Sequence, residues 1–247
     1  MGLHIPEADH KFRSVASGKE IGKMAESFDV EKKSVTLYGS ENAGSPLVLL
    51  NTYGENGSDV QTECDALGCP PFTLAIVSRL DWNADMSPWE CEPLSKSDSP
   101  CTGKADSYLT LVTGKILPAV CERLSAAPAY TAIAGYSLAG LFALYAAYRT
   151  DAFSRIASVS GSLWFPRFSD FAQKEPFVRT LERIYLSLGD REAKTHNKIL
   201  CTVEEKTEEL AAFYQSQGIP TIFEMNSGNH FTDGALRMAR GIKGILN

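Results

Sequence analysis

The chain has 247 residues, 44% hydrophobic and 22% charged, with a net charge of −6. That length supports one large domain with a substantial core, and an acidic balance without any strongly basic segment argues against a nucleic-acid partner. No apolar run approaches the roughly 18 residues of a membrane span, and MGLHIPEADHKFRS has neither the apolar stretch of a secretory signal nor, with Pro6, a myristoylation pattern, so the expectation is a cytoplasmic protein with no membrane partner.

Residues 27–39 have alternating character and predict one early, half-exposed strand. Ser45-Pro46 leads into LVLLN, a short continuous apolar run of the fully buried type. Further buried runs follow: FTLAIVS at 72–78, TAIAGYS at 131–137, RIASVS at 155–160, RIYLSLG at 183–189 and TIFEMN at 221–226. Between them, residues 107–124 have helical spacing with a kink expected at Pro118. The segment after Ser137 is apolar nearly all round, which predicts a buried helix. Residues 197–218 form an amphipathic pattern ending at Gly218, and TDGALRMARGIKGIL closes the chain as a last helix. Buried strands alternating with helices imply an α/β fold with a mainly parallel central sheet and helices on both faces. Ligands of such sheets bind outside the carboxyl ends of the strands.

Ile133-Ala134-Gly135-Tyr136-Ser137-Leu138-Ala139-Gly140 reads as a strand, a very tight turn with a serine at its apex, and a helix. This is the form of a nucleophile elbow, in which small residues flank a serine whose hydroxyl must stand clear of the sheet. A serine hydroxyl needs a base. Among the four histidines, His4 and His10 precede any core strand, His196 lies in a polar stretch, and His230 alone follows the last strand. An acid to orient the imidazole is expected between Ser137 and His230, and both Asp190 and Glu192 in the turn after Gly189 qualify. Oxyanion donors are expected from the backbone N–H of Leu138 and of Tyr53, with Gly54 as the alternative to Tyr53. Trp82, Trp89 and Trp164 all fall in segments at the carboxyl end of the sheet and, with Tyr136, are candidate walls of a substrate pocket. The six cysteines, Cys64, Cys69, Cys91, Cys101, Cys121 and Cys201, have no zinc spacing, so free thiols and no metal are expected. Cys91 and Cys101 could pair only if the protein were exported.

With IAGYSLAGLFALYAAYR, DAFSRIASVSGSLWF, LSLGDREAKT and SGNHFTDGALRMARGI, the chain resembles the Putative esterase family of α/β-hydrolases over roughly residues 35–245. The SLWF and GDREAKT segments look closest to its siderophore-esterase branch. The resemblance implies one α/β-hydrolase domain over 1–247 with residues 1–26 as an N-terminal extension, no large cap domain and no cofactor. It also implies hydrolysis of a small-molecule carboxylic or thio ester by Ser137, His230 and Glu192, the acid being three residues past Gly189, with Asp190 the fallback. Acyl transfer by the same residues, or a silent binding protein, are the competing readings. Ala139 stands where the family most often has Gly, and Asn229 precedes the histidine where many relatives have Gly. The sequence leaves the oligomeric state open.

Overall fold

The computed structural model describes residues 25–39, 41–53, 57–95 and 97–247. His4, His10 and Gly54, and nearly all of the N-terminal extension, lie outside the described residues. The chain runs β1 (Glu26–Val30), β2 (Lys33–Tyr38), β3 (Leu47–Asn51), α1 (Ser58–Ala66), β4 (Thr73–Ser78), α2 (Trp82–Asp85), β5 (Glu90–Cys91), β6 (Cys101–Thr102), α3 (Ala105–Leu111), a π turn (Val112–Ile116) and α4 (Leu117–Cys121). It continues through β7 (Thr131–Tyr136), α5 (Leu138–Ala147), β8 (Arg155–Val159), α6 (Phe168–Lys174), β9 (Arg183–Gly189), α7 (Val203–Ser216), β10 (Thr221–Asn226) and α8 (Gly234–Leu246).

Eight strands form one sheet in the order β1-β2-β4-β3-β7-β8-β9-β10. From β4 to β10 every neighbouring pair is parallel, while β1 and β2 are antiparallel on one edge. Side chains alternate across each strand. Leu47, Leu49, Ala75, Val77 and Ile133 therefore face α3 to α7, and Val48, Leu50, Leu74, Ile76 and Ala134 face α1 and α8. Both faces are covered, which is why the central strands are apolar throughout. The carboxyl ends of six parallel strands consequently share one rim.

Three segments depart from expectation. Residues 27–39 are two strands, a hairpin turning at Glu31 and Lys32, with Glu31 at φ 55°. No Gly or Asn marks that turn, and pairing with β4 buries most of β2. The last run, TIFEMN, is the sheet's other edge among the described residues and only partly buried, with β9 its one strand neighbour there. The helix predicted at 197–218 enters its α form only at Val203, because the Asn197 side chain accepts from the N–H groups of Ile199 and Leu200 and caps a tighter turn. At Pro118 the expected kink takes the form of the preceding π turn. Proline offers no N–H and crowds the carbonyl four residues back, so the backbone widens and Leu117 N–H bonds Val112 O instead. None of the six cysteines forms a disulfide, and Cys91 stands opposite Cys101 across β5 and β6.

The crossing of β7 and α5 leaves no room at Gly135, where an added Cβ would lie 2.2 Å from the Ala139 carbonyl oxygen. Gly135→Ala is therefore expected to destabilise by about 1–3 kcal/mol or more. Gly114, exposed with open space around it, should tolerate alanine with a gain of up to about 1 kcal/mol. Urea unfolding of the two variants checks this, and equal midpoints would contradict it.

Candidate active site

Ser137 follows β7 directly and occupies φ 59°, ψ −124°. Non-glycine residues rarely adopt positive φ, at a cost of about 1–3 kcal/mol, so surrounding bonds must hold the conformation. Ser137 N–H donates to Val159 O at 3.1 Å, and Ser137 O accepts from the N–H groups of Gly140, Leu141 and Ser162 at 3.0, 3.2 and 3.0 Å. The turn lifts the serine side chain over the rim. Leu138 opens α5, where first-turn N–H groups have no acceptor within the helix.

The loop after β10 brings His230 over this serine, with Nε2 3.1 Å from Ser137 Oγ. Its Nδ1 stands 2.6 Å from Oε2 of Glu192, from the loop after β9. The other carboxylate oxygen, Oε1, accepts from Gly189 N–H at 2.7 Å, Ser160 Oγ at 2.8 Å and Arg237 Nη1 at 3.2 Å. Burial raises the Glu192 carboxyl, but the hydrogen bond and charge of His230 and the donors from Ser160 and Gly189 outweigh it, leaving a net value below the ordinary one. Asp190 stands apart from the imidazole contact. It accepts from Gly228 N–H at 2.8 Å, and so tethers the loop that carries His230. Of the two acids the turn offers, Glu192 is the one brought to His230.

Tyr136, grouped with the pocket walls, lines the cleft and also has a second contact. Its hydroxyl donates to the His230 carbonyl at 2.8 Å. Burial first of all pushes that phenol up, so it stays a donor. The cleft holds about 1160 Å³ and is lined by Tyr53, Trp82, Trp164 and Phe231 besides Ser137, Ser160, Glu192 and His230. Tyr53 and Phe231 are each 69% exposed, and Tyr53 packs edge-on against Trp82 at 5.3 Å. Trp89 is a correction to the sequence expectation. It packs against Tyr145, Phe165 and Phe171 and donates to Pro166 O at 2.9 Å, so it serves the core and not the cleft wall. His196 is exposed. Sequence reasoning missed Ser160 and Arg237. The available signal was an arginine on the apolar stripe of α8, in line with Gly241 and Ile245. Among the described residues no group of His, Cys, Asp and Glu could hold a metal, and no helix is long and apolar enough to cross a membrane.

Comparison with known proteins agrees with this architecture. A model of the family described as Putative esterase matches residues 51–233. The uncharacterized protein YbbA of Bacillus subtilis (strain 168) is 24% identical over 195 residues, 73% of this chain and 75% of its own length. The crystal structure of an IroE-like serine hydrolase from Shewanella oneidensis matches with a TM-score of 0.70 at 14% identity, covering 89% of this chain and 78% of that one. Siderophore hydrolase EstA from Aspergillus nidulans matches with a TM-score of 0.67 at 16% identity, covering 95% and 99%. At such identities the likeness shows the fold, the α/β-hydrolase fold, and among the described residues there is no large cap.

The depressed Glu192 carboxyl predicts a pH signature. Its contribution to stability is complete above the ordinary carboxyl range of the unfolded chain and is lost as pH falls through its lower folded value. Glu192→Gln leaves Arg237 buried without its counter-charge, which should cost about 3 kcal/mol near neutral pH. Denaturant melts should show that gap constant down to about pH 5 and closing below about pH 4. A gap that widens on acidification would contradict the assignment.

Proposed function

The chain belongs to the Putative esterase family, and for the carboxylic ester hydrolysis that this entails we propose a mechanism through Ser137, His230 and Glu192. The observation that carries it is the pair of contacts linking them, 3.1 Å from Ser137 Oγ to His230 Nε2 and 2.6 Å from His230 Nδ1 to Glu192 Oε2. His230 accepts the hydroxyl proton as Ser137 Oγ attacks the ester carbonyl carbon. Glu192 holds Nδ1–H, which selects the tautomer with Nε2 free to accept and stabilises the imidazolium. The backbone N–H groups of Leu138 and Tyr53 are assigned to the oxyanion. The tetrahedral intermediate collapses, His230 gives the proton to the departing alcohol (or thiol), and the acyl group stays on Ser137. Water then attacks the acyl carbonyl, giving its proton to His230. Collapse returns that proton to Ser137 Oγ and releases the acid. No step uses a metal or an organic cofactor.

The substrate class we favour is a bulky small-molecule ester of the siderophore type. Two observations support it: the large cleft with Tyr53, Trp82, Trp164 and Phe231 around it, and the structural similarity to siderophore hydrolase EstA. Aromatic walls suit flat or bulky groups more than short acyl chains.

Ser137→Ala should lower kcat on p-nitrophenyl esters by about 10⁴-fold or more with little loss of stability. Glu192→Gln should cost about 10²–10⁴ in kcat. Asp190→Asn should cost clearly less, since its amide oxygen can still accept from Gly228. A larger kcat loss in Asp190→Asn at unchanged stability would move the acid to Asp190. Across siderophore lactones, feruloyl esters and acetylated sugars, the highest kcat/KM is expected for the siderophore esters, and a preference for acetylated sugars would overturn that substrate class.

A further inference from the structure

We propose that Arg237 is a positioning residue for the hydrolysis, a single buried guanidinium that orients Glu192 toward His230 and joins the loops on which the reacting groups stand. The residue is 1% exposed. From α8, its Nη1 donates to Glu192 Oε1 at 3.2 Å, with longer approaches to Ser160 Oγ at 3.4 Å and Tyr136 Oη at 3.5 Å, and Nη2 donates to Ser227 O at 2.7 Å. Those partners lie at the carboxyl ends of β7, β8, β9 and β10. One side chain thus touches all four strand ends that supply Ser137, Ser160, Glu192 and His230.

The asymmetry at Glu192 points to function beyond packing. Oε1 takes all three donors, Gly189, Ser160 and Arg237, while Oε2 meets His230. A carboxylate so tied cannot rotate, and the oxygen left over faces Nδ1. Charge leads to the same place. Arginine stays protonated in proteins, so the imidazolium formed during catalysis sits beside a neutralised arginine–carboxylate pair and not beside a lone carboxylate. Remove the guanidinium and two things follow with one sign. Glu192 takes up a proton at higher pH, and while still ionised it binds the imidazolium proton more tightly. Either way activity is lost sooner on acidification. The titratable groups facing this cluster are Tyr136 from β7, Glu192 from the loop after β9 and His230 from the loop after β10. Further along α8, Arg240 pairs with Glu224 of β10, to which Tyr185 of β9 also donates.

This rests on the assignment of Glu192 and His230 above, and one experiment separates the two. Arg237→Met, Arg237→Lys and Glu192→Gln are assayed on a p-nitrophenyl ester between about pH 5 and 9, per folded molecule as judged by thermal melts. Arg237→Met should move the acid limb of kcat/KM up by about one pH unit, the low end for loss of a nearby opposite charge. Arg237→Lys, which keeps the charge but not the fork, should keep the limb and lose kcat by about 10-fold or more, as misplacement does. KM should change little in both, since Arg237 does not line the cleft. An acid limb in Arg237→Met that overlays the wild type overturns the proposal. Should Arg237→Met fail to fold, the same shift is read in Arg237→Gln, and failure of both to fold overturns it in favour of a purely structural arginine. Wild-type kcat in Glu192→Gln would instead sink the mechanism itself, whereas an impaired Glu192→Gln beside an unmoved limb in Arg237→Met sinks only the role of Arg237.

Discussion

The left-handed backbone of Ser137 is the constraint around which the site is built. A residue at φ 59°, ψ −124° would relax if its neighbours allowed, and here they do not. Three N–H groups converge on its carbonyl oxygen, and its own N–H is tied to β8. Gly135 and Ala139 are small because β7 and α5 meet at van der Waals contact on either side of the turn. An alanine meets the packing requirement at 139, where the family most often has glycine. The sheet's hydrophobic burial therefore supports the local strain at Ser137, a common arrangement at functional sites.

Around that serine the charges are arranged inward. Glu192 is nearly buried, which alone would favour its neutral form. Donors from three strand ends reverse that preference and keep it ionised. The same bonds bind the loops together: Asp190 to Gly228, Tyr136 to His230, Arg237 to Ser227. The parallel topology makes this possible. Strand ends that are far apart in the chain emerge side by side, so Glu192, His230 and Ser137 from three loops meet without a long connecting segment.

Much of this was legible in the sequence for identifiable reasons. Continuous apolar runs mark strands buried on both faces, and β3, β4, β7, β8 and β9 are of that kind. The small residues beside Ser137 leave a local signature, as does the position of His230 after the last strand. Less legible were features decided by tertiary neighbours. The β1–β2 hairpin turns without Gly or Asn, and β10 is apolar enough to read as central although it lies at the edge. Trp89 shares a loop-like context with Trp82, and only packing against Phe165 and Phe171 tells the two apart. The choice between Asp190 and Glu192 depends on how a turn bends, and residue spacing alone left it open. Arg237 differs from exposed Arg240 only in lying on the apolar stripe of α8 with Gly241 and Ile245, a helical-spacing signal that is easily missed in a helix carrying several basic residues.

The central claim is that Ser137 is the nucleophile activated by His230. Reaction with a fluorophosphonate probe followed by peptide mass spectrometry tests it most directly, in the wild type and in His230→Ala. The account predicts one adduct, on the peptide containing Ser137, formed much more slowly in His230→Ala. An adduct on another serine, or labelling of Ser137 at an unchanged rate without His230, would contradict it.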